Sequence, residues 1–260
     1  MPDLTIELKE NKKIYFASDF HLGFSAFSVA HEIDREKKII RWLNSIEKDA
    51  QAIFLVGDIF DFWFEYKHAI PKGFIRILGK IANLVDQGIP VYFFTGNHDL
   101  WMFDYFQDQF DIAIYKYPIE LKVNDSLLLV GHGDGLGPGD TFYKLLKRIF
   151  TNKIAQWIFR WIHPDLGIGM ARKWSKSSRL QKAGSDEQFL GEKEFLIQYC
   201  RKREVEQHHD LYIFGHRHLP LNVEIQGNSR YYNLGEWVHQ CTYGVFDGKT
   251  FSLQTFEDNE

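Results

Sequence analysis

Five short polar motifs, each placed just after an apolar run, restrict this chain more than any other feature. They are Asp19-Phe20-His21, Gly57-Asp58, Gly96-Asn97-His98-Asp99, Gly131-His132-Gly133-Asp134 and Gly215-His216-Arg217-His218. The runs before them, IYFAS, AIFLV, VYFFT, LLLV and LYIF, are short, continuous and rich in Ile, Val, Leu and Phe. That is the pattern of strands buried on both faces. In an open α/β sheet, residues just beyond the carboxyl ends of the strands converge on one crevice. Five such ends bearing Asp, Asn and His point to a single site able to hold more than one metal ion.

The rest of the chain is consistent with an α/β fold. Residues 14–18, 52–56 and 91–95 read as strands, separated by helical stretches near 28–48 and 72–87, the second closed by Gly88 and Pro90. Residues 119–130 read as two strands around a turn at Asn124-Asp125. Strand character returns at 211–214, 221–225, 230–234 and 242–256, with Asp247-Gly248 as a hairpin turn. A length of 260 residues with 45% hydrophobic content supports one large domain, or a domain carrying an insertion. The polar start, MPDLTIELKENKK, does not read as a secretory signal. No apolar run approaches the roughly 20 residues that span a bilayer, so a soluble protein, at most resting on a membrane surface, is expected. Cys200 and Cys241 lie far apart and are expected to be buried, reduced thiols of a cytosolic protein.

The chemistry of the motifs is specific when they are taken together. Asp19, His21, Asp58, Asn97, His132, His216 and His218 offer oxygen and imidazole ligands and no thiolate, a set that suits Mn, Fe or Zn rather than a structural Cys-type zinc site. A carboxylate such as Asp58 can bridge two ions, giving the pair about 3.5–4 Å apart that clamps a phosphoryl group. Singly, each residue has a plainer reading: Asp19 or Asp58 as a turn or cap, Asn97 as a turn residue, His216 and His218 as flanks of a turn. Five strand ends in this order exceed those readings. His98 follows Asn97 and is expected to face the substrate phosphate as stabiliser or proton donor. Asp99 is expected to set its tautomer by accepting from the other ring nitrogen.

Residues 138–190, between the fourth and fifth motifs, differ from their surroundings. From Thr141 to Lys182 there are ten basic residues and one acid, Asp165, in a chain of net charge −4. Phe142, Leu145, Leu146 and Ile149 keep helical spacing, as do Ile154, Trp157, Ile158 and Trp161. One reading is a helical hairpin whose stripes pack on each other. Another is a pair of surface helices meeting anionic lipid headgroups. A nucleic-acid reading of the basic patch is also open, although Trp-rich stripes favour lipid and no nucleic-acid partner is expected.

The order of the five motifs resembles the calcineurin-like metallophosphoesterase superfamily. That resemblance implies a four-layer α/β/β/α sandwich, with a core of 1–137 and 191–260 and a helical lid at 138–190. It also implies two divalent ions, one held by Asp19, His21, Asp58 and His218, the other by Asp58, Asn97, His132 and His216. A bridging hydroxide would then attack phosphorus in line. With the basic helical insertion, nearly the whole chain is similar to the UDP-2,3-diacylglucosamine pyrophosphohydrolase family of lipid A biosynthesis. This implies manganese, cleavage of a lipid-linked nucleotide-sugar pyrophosphate, a lid that takes up acyl chains, and a cytoplasmic protein peripheral to the inner face of the cytoplasmic membrane. Asp140 and Tyr143 match that family's substrate-contacting spacing, and Arg172, Ser175 and Lys182 match its lid residues. One position departs: the family carries Arg after the Asn of the third motif, where this chain has His98, the common residue of the wider superfamily. A same-fold alternative is an enzyme for a soluble phosphodiester or nucleotide, and a different class is a scaffold without chemistry.

Overall fold

In a computed structural model, which describes residues 1–24, 27–139, 141–171, 173 and 188–258, the five apolar runs form strands within two six-stranded sheets. In chain order the strands are β1 (Leu4–Ile6), β2 (Lys13–Ala17), β3 (Ala50–Val56), β4 (Val91–Phe94), β5 (Ile114–Tyr115), β6 (Ile119–Val123), β7 (Ser126–Gly131), β8 (Leu211–Phe214), β9 (Pro220–Gln226), β10 (Ser229–Leu234), β11 (Thr242–Phe246) and β12 (Phe251–Thr255). The helices are α1 (Val29–Ile46), α2 (Ile75–Asp86), α3 (Tyr105–Phe110), α4 (Thr141–Thr151), α5 (Lys153–Arg160), a run at 164–171 (α6) and α7 (Phe195–Glu206).

One sheet has the order β12-β11-β2-β3-β4-β5, the other β1-β6-β7-β8-β10-β9. Within the first, β2, β3, β4 and β5 run parallel, in register Phe16↔Phe54 and Phe54↔Tyr92. Within the second, β7 and β8 are parallel neighbours. Parallel strands need helical crossovers, and α1 and α2 supply them for β2–β3–β4. The turn at Asn124 and the hairpin at Asp247-Gly248 fall where the sequence pattern put them, with Asn124 at φ 53° and Gly248 at φ 95°. The two short strands β1 and β5 and helix α3 carry no periodic signal of their own.

The period-2 alternation of strands sorts the apolar residues into separate layers. Ile14, Phe16, Ala52, Phe54, Val56 and Phe94 point inward and meet Leu121, Val123, Leu128, Val130, Leu211 and Ile213 of the facing sheet. Their sequence neighbours Tyr15, Ala17, Ile53, Leu55 and Phe93 point outward under α1 and α2, against Ile39, Trp42, Leu43, Ile77 and Ile81. On the far side, Leu196, Ile197 and Cys200 of α7 cover Leu129, Tyr212, Phe214 and Tyr231. Helix, sheet, sheet, helix is the four-layer arrangement expected, and it explains why the central runs are apolar throughout.

The segment after the fourth motif is helical, but its apolar stripes do not pack on each other. Leu145, Ile149, Ile154, Trp157, Ile158, Trp161, Leu166 and Met170 are between 49% and 76% exposed. The opposite side of the segment holds it to the core. Trp101 donates from Nε1 to the Phe150 carbonyl at 2.7 Å, and the Phe159 ring lies 4.7 Å from those of both Trp101 and Phe64. Asn152 caps α5, its side chain accepting from the N–H groups of Ile154 and Ala155. Cys200 and Cys241 are both buried and unbridged. Among the described residues, no helix is long and apolar enough to cross a membrane.

Phe54 is fully buried between the sheets and stacks on Phe16 at 5.0 Å and Tyr92 at 4.7 Å. Phe54→Ala should cost about 3–5 kcal/mol of stability. Urea unfolding measures it, and a loss under about 1 kcal/mol would contradict this packing.

Candidate metal centre

All five motifs lie at the carboxyl ends of strands: Asp19 and His21 after β2, Asp58 after β3, Asn97 to Asp99 after β4, His132 after β7, His216 and His218 after β8. Since β2, β3 and β4 are parallel neighbours in one sheet and β7 and β8 in the other, these ends meet along one rim of the sandwich. The turns that bring the side chains back over the rim are tight. Asp19 (φ 57°), His21 (46°), Asp58 (52°), His216 (71°) and His218 (53°) are all left-handed, five of the ten non-glycine residues in that region of backbone space among those described. Each costs about 1–2 kcal/mol, and such strain collects at functional sites. Backbone hydrogen bonds hold the turns, Asp19 N–H to Gly57 O at 3.0 Å and His21 N–H to Asp58 O at 2.9 Å. The His216 N–H donates to Asp19 Oδ2 at 3.0 Å, so one ligand loop ties the two sheets together. Two glycines are fixed by crowding: a Cβ at Gly96 would lie 2.2 Å from Asp58 Oδ1, and one at Gly215 2.6 Å from Asp19 Oδ2.

Among the described residues the ligand atoms form three overlapping groups, two at the expected ion sites and a third that joins His21, Asp58 and His98. In the first, His218 Nε2 lies 3.2 Å from Asp19 Oδ1 and 3.1 Å from His21 Nε2. In the second, Asp58 Oδ2 lies 3.3 Å from His132 Nε2, with a His216 ring nitrogen within 4.8 Å of both ligand atoms. Asp58 Oδ2 is also 3.9 Å from His21 Nε2, placing this carboxylate between the groups. Asp19 Oδ1, Asn97 Oδ1 and His132 Nε2 are buried without a hydrogen bond, and buried polar atoms of that kind call for a missing partner such as an ion. The tautomer agrees. His132 donates from Nδ1 to the Val56 carbonyl at 2.9 Å, so Nε2 is the nitrogen that faces Asp58 and the ligand cluster and would give up its proton to bind an ion. The residues present therefore fit divalent metal binding.

Burial and proximity set the charges. Burial alone would raise the Asp58 carboxyl, but His132, His98 and His21 hold it well below the ordinary carboxylate range. Burial likewise opposes ionisation of Asp19, which His21 and His218 nevertheless keep ionised. Burial would lower His132, yet the Asp58 charge pushes it up to about 10. His216 is driven down to about 3 by burial and the neighbouring His132. Asp99 is raised to about 7 by burial and by Asp58.

Asp99 does not take the position expected of it beside the His98 ring. Its carboxylate accepts from the backbone N–H groups of Gly96 (2.7 Å), Ile59 (2.9 Å), Asp58 (3.3 Å) and Phe60 (3.4 Å), lacing together the turns after β3 and β4. The group facing His98 Nδ1 is Asp61, its carbonyl at 3.1 Å and its carboxylate at 3.7 Å. The same carboxylate lies 3.7 Å from His21 Nδ1. Asp61 escaped the sequence reading because it is 37 residues from His98, although it stands three residues beyond Asp58. Arg35 of α1 escaped it too: it is buried and donates to the carbonyls of Phe20 and His21, supporting the first ligand loop. Tyr143 lies near the rim, its hydroxyl donating to Asp134 Oδ2 at 2.5 Å. Asp140, Arg172, Ser175 and Lys182 lie outside the described residues.

A sandwich with a cluster of Asp, Asn and His at the strand ends is the build of a metal-dependent phosphoesterase, and residues 12–220 match the family model described as calcineurin-like phosphoesterase. The chain belongs to that family and is a metal-dependent hydrolase. It is 35% identical over 261 residues to a Porphyromonas gingivalis protein named UDP-2,3-diacylglucosamine hydrolase, covering 95% of this chain and 99% of the relative. Relatives of the same name from Vibrio atlanticus (27% identical, 94% of this chain and 98% of the relative) and Actinobacillus succinogenes (25%, 86% and 92%) match less closely.

With metal stripped by a chelator, protonated His132 pairs with Asp58. Its pKa rises on folding from the ordinary 6.5 to about 10, so this stabilisation is complete below about pH 6.5 and is lost as pH rises through about 10. The melting temperature of the stripped protein should fall across that window, and His132→Gln should flatten the fall. Equal slopes for the two proteins would refute the pairing.

Proposed function

We propose that this protein hydrolyses the pyrophosphate of UDP-2,3-diacylglucosamine, giving UMP and 2,3-diacylglucosamine 1-phosphate, a step of lipid A biosynthesis. The observation that carries the lipid half is the open apolar surface of α4, α5 and α6, where Ile154, Trp157, Trp161 and Leu166 are each at least 60% exposed, on the same side of the chain as a buried ligand cluster that α4 adjoins through Tyr143 and Asp134. The full-length match to the Porphyromonas gingivalis hydrolase supports the same substrate.

Asp19, His21, Asp58 and His218 would hold one divalent ion, and Asp58, Asn97, His132 and His216 the other, manganese being the choice favoured by resemblance among Mn, Fe and Zn. Two bound ions neutralise phosphate charge and acidify the attacking water. The protein's own groups do the rest. Left-handed turns and the Val56 carbonyl fix the ligand side chains before substrate arrives. His98 is held twice, its N–H donating to Asp58 Oδ1 at 2.7 Å and its Nδ1 lying against Asp61. A His98 ring nitrogen lies within 4.8 Å of ligand atoms of His21 and Asp58, which sets the ring beside the ions' place and against the phosphate they would hold. The leaving group is itself a phosphate, which needs little protonation, so His98 acts chiefly by stabilising charge. Asp61 orients His98 and His21 together, and Asp99 sets the spacing of the turns beneath them.

Tyr143, with Asp140, Arg172, Ser175 and Lys182, is assigned to the substrate, and residues 138–190 to a lid over it. The apolar face of the lid suits acyl chains, and its lysines and arginines suit anionic headgroups. The enzyme would then work on the cytoplasmic face of the membrane, bound at its surface rather than through it.

The decisive assay is UMP release from UDP-2,3-diacylglucosamine with Mn²⁺ and detergent, beside UDP-N-acetylglucosamine, a cyclic nucleotide and an aryl phosphate. Fast turnover should be confined to the diacylated substrate, the aryl phosphate being cleaved slowly at most, and should drop at least about 1000-fold in Asp58→Ala. Activity on the soluble compounds alone would leave a phosphoesterase and reject the lipid. In sedimentation with anionic liposomes, Trp157→Ala/Trp161→Ala should weaken binding about tenfold or more, and unchanged binding would reject the surface assignment.

A further inference from the structure

We infer that the lipid-docking surface extends from the helical segment onto the core. There Val29, Ile75, Tyr117, Phe189 and Leu190 ring the metal centre, so that its mouth faces an anionic bilayer. The inference goes beyond the lid assignment above and draws on the lipid reading of the substrate.

Val29 and Ile75 are each the first residue of a helix, and they are 78% and 75% exposed. Both helices follow a strand that ends in metal ligands, so their first turns stand at the rim. Hydrogen bonds keep them there. The Gly23 N–H, two residues past His21, donates to Glu32 Oε2 of α1 at 2.6 Å, and Arg35 Nη1 donates to the His21 carbonyl at 3.4 Å. Glu36 of α1 accepts from the N–H groups of Arg76 and Ile77, both at 3.1 Å. A Cβ on Gly23 would lie 2.9 Å from the ring of Phe74, the neighbour of Ile75. On the other sheet, Tyr117 is 75% exposed. It precedes Pro118, whose Cα would lie 2.9 Å from a Cβ on Gly131, the residue before His132. Phe189 and Leu190 are 45% and 48% exposed. The Gln188 carbonyl beside them accepts at 3.0 Å from Nη2 of Arg217, which stands between His216 and His218.

Apolar residues exposed singly need no explanation, but these do not scatter. Among the described residues, every large apolar side chain as exposed as these lies within residues 145–170 or in this ring, apart from Met1 and Val205. Bases flank the apolar tips: Lys72 and Arg76 about Ile75, and Lys116 before Tyr117, all exposed. Apolar tips among bases suit the boundary between acyl chains and anionic headgroups. A second copy of the chain seated on this ring would cover the mouth, whereas a bilayer delivers a lipid substrate through it.

The test uses the full-length, Mn²⁺-loaded protein and sedimentation with vesicles of phosphatidylglycerol and phosphatidylethanolamine. Val29→Glu/Ile75→Glu removes two tips of the ring and puts each acid in the first turn of a helix, where the helix dipole favours it. Vesicle binding should weaken about tenfold or more, although α4, α5 and α6 are untouched. The kcat/KM on bis(4-nitrophenyl) phosphate should stay within about twofold of wild type. Val205→Glu, the same change away from the rim, should leave binding unaltered. Because Cys200 and Cys241 are buried, an environment-sensitive dye can be placed on Ile75→Cys alone. Its emission should shift to the blue with vesicles and be quenched by spin-labelled acyl chains. Unaltered binding by the double variant, an equal loss in Val205→Glu, or a dye that stays in water would each overturn the inference. So would a wild-type dimer that the double variant abolishes while vesicle binding persists, which would give the ring to a second copy. Wild type active on the diacylated substrate with unaltered vesicle binding by the double variant would remove the inference alone. Wild type inert on that substrate, with every vesicle result as expected, would remove the substrate reading and leave the docking surface.

Discussion

Two carboxylates and four imidazoles from strands of both sheets occupy one buried rim, and almost every local feature around them follows from that crowding. Taking an ion pair out of water costs several kcal/mol per charge. His132 and Asp58 offset part of that by pairing with each other, while His216 stays neutral beside them. Asp19 Oδ1 and Asn97 Oδ1 are buried beside them without a hydrogen bond and are available to cations. The left-handed turns and the glycines that precede the ligands are what brings so many polar groups within a few ångströms.

The sandwich makes that arrangement rigid. A fully packed inter-sheet layer of Phe16, Phe54, Leu121, Val130 and Ile213 fixes the two sheets face to face. Above it the turns are laced across: Asp19 accepts from His216 of the opposite sheet, and Asp99 gathers four backbone N–H groups from the turns after β3 and β4. Both acids spend themselves on backbone geometry as much as on charge. An electrostatic site built this way needs little reorganisation when substrate arrives, which is where preorganised catalysis draws its advantage.

The helical segment after β7 answers to a different constraint. Its inner side chains are committed to the core, Phe159 among the rings of Phe64 and Trp101 and Lys147 against Asp134. Its outer stripes stay open to solvent. Under the proposed function that surface would meet the lipid, and basic side chains of the same stretch its anionic headgroups.

Much of this could be read from the amino acids in order. Short runs apolar at every position announce strands covered on both faces, and polar residues after each run announce strand ends, so the fold and the candidate metal-binding residues could be located from local patterns. Partnerships across the chain could not be read so. Adjacency suggested Asp99 as the companion of His98, but a residue next in sequence at a tight turn points elsewhere, and Asp61 arrives from 37 residues away because β3 and β4 lie side by side. Helical periodicity marked the stripes of α4 and α5 without saying what they face, since the same spacing serves a packed hairpin and an open surface. Sequence by itself determined which residues are apolar, which can bind metal and where the chain must turn. Tertiary structure alone decided which side chains meet and which apolar faces remain uncovered, because those outcomes depend on distances between segments that no local pattern encodes.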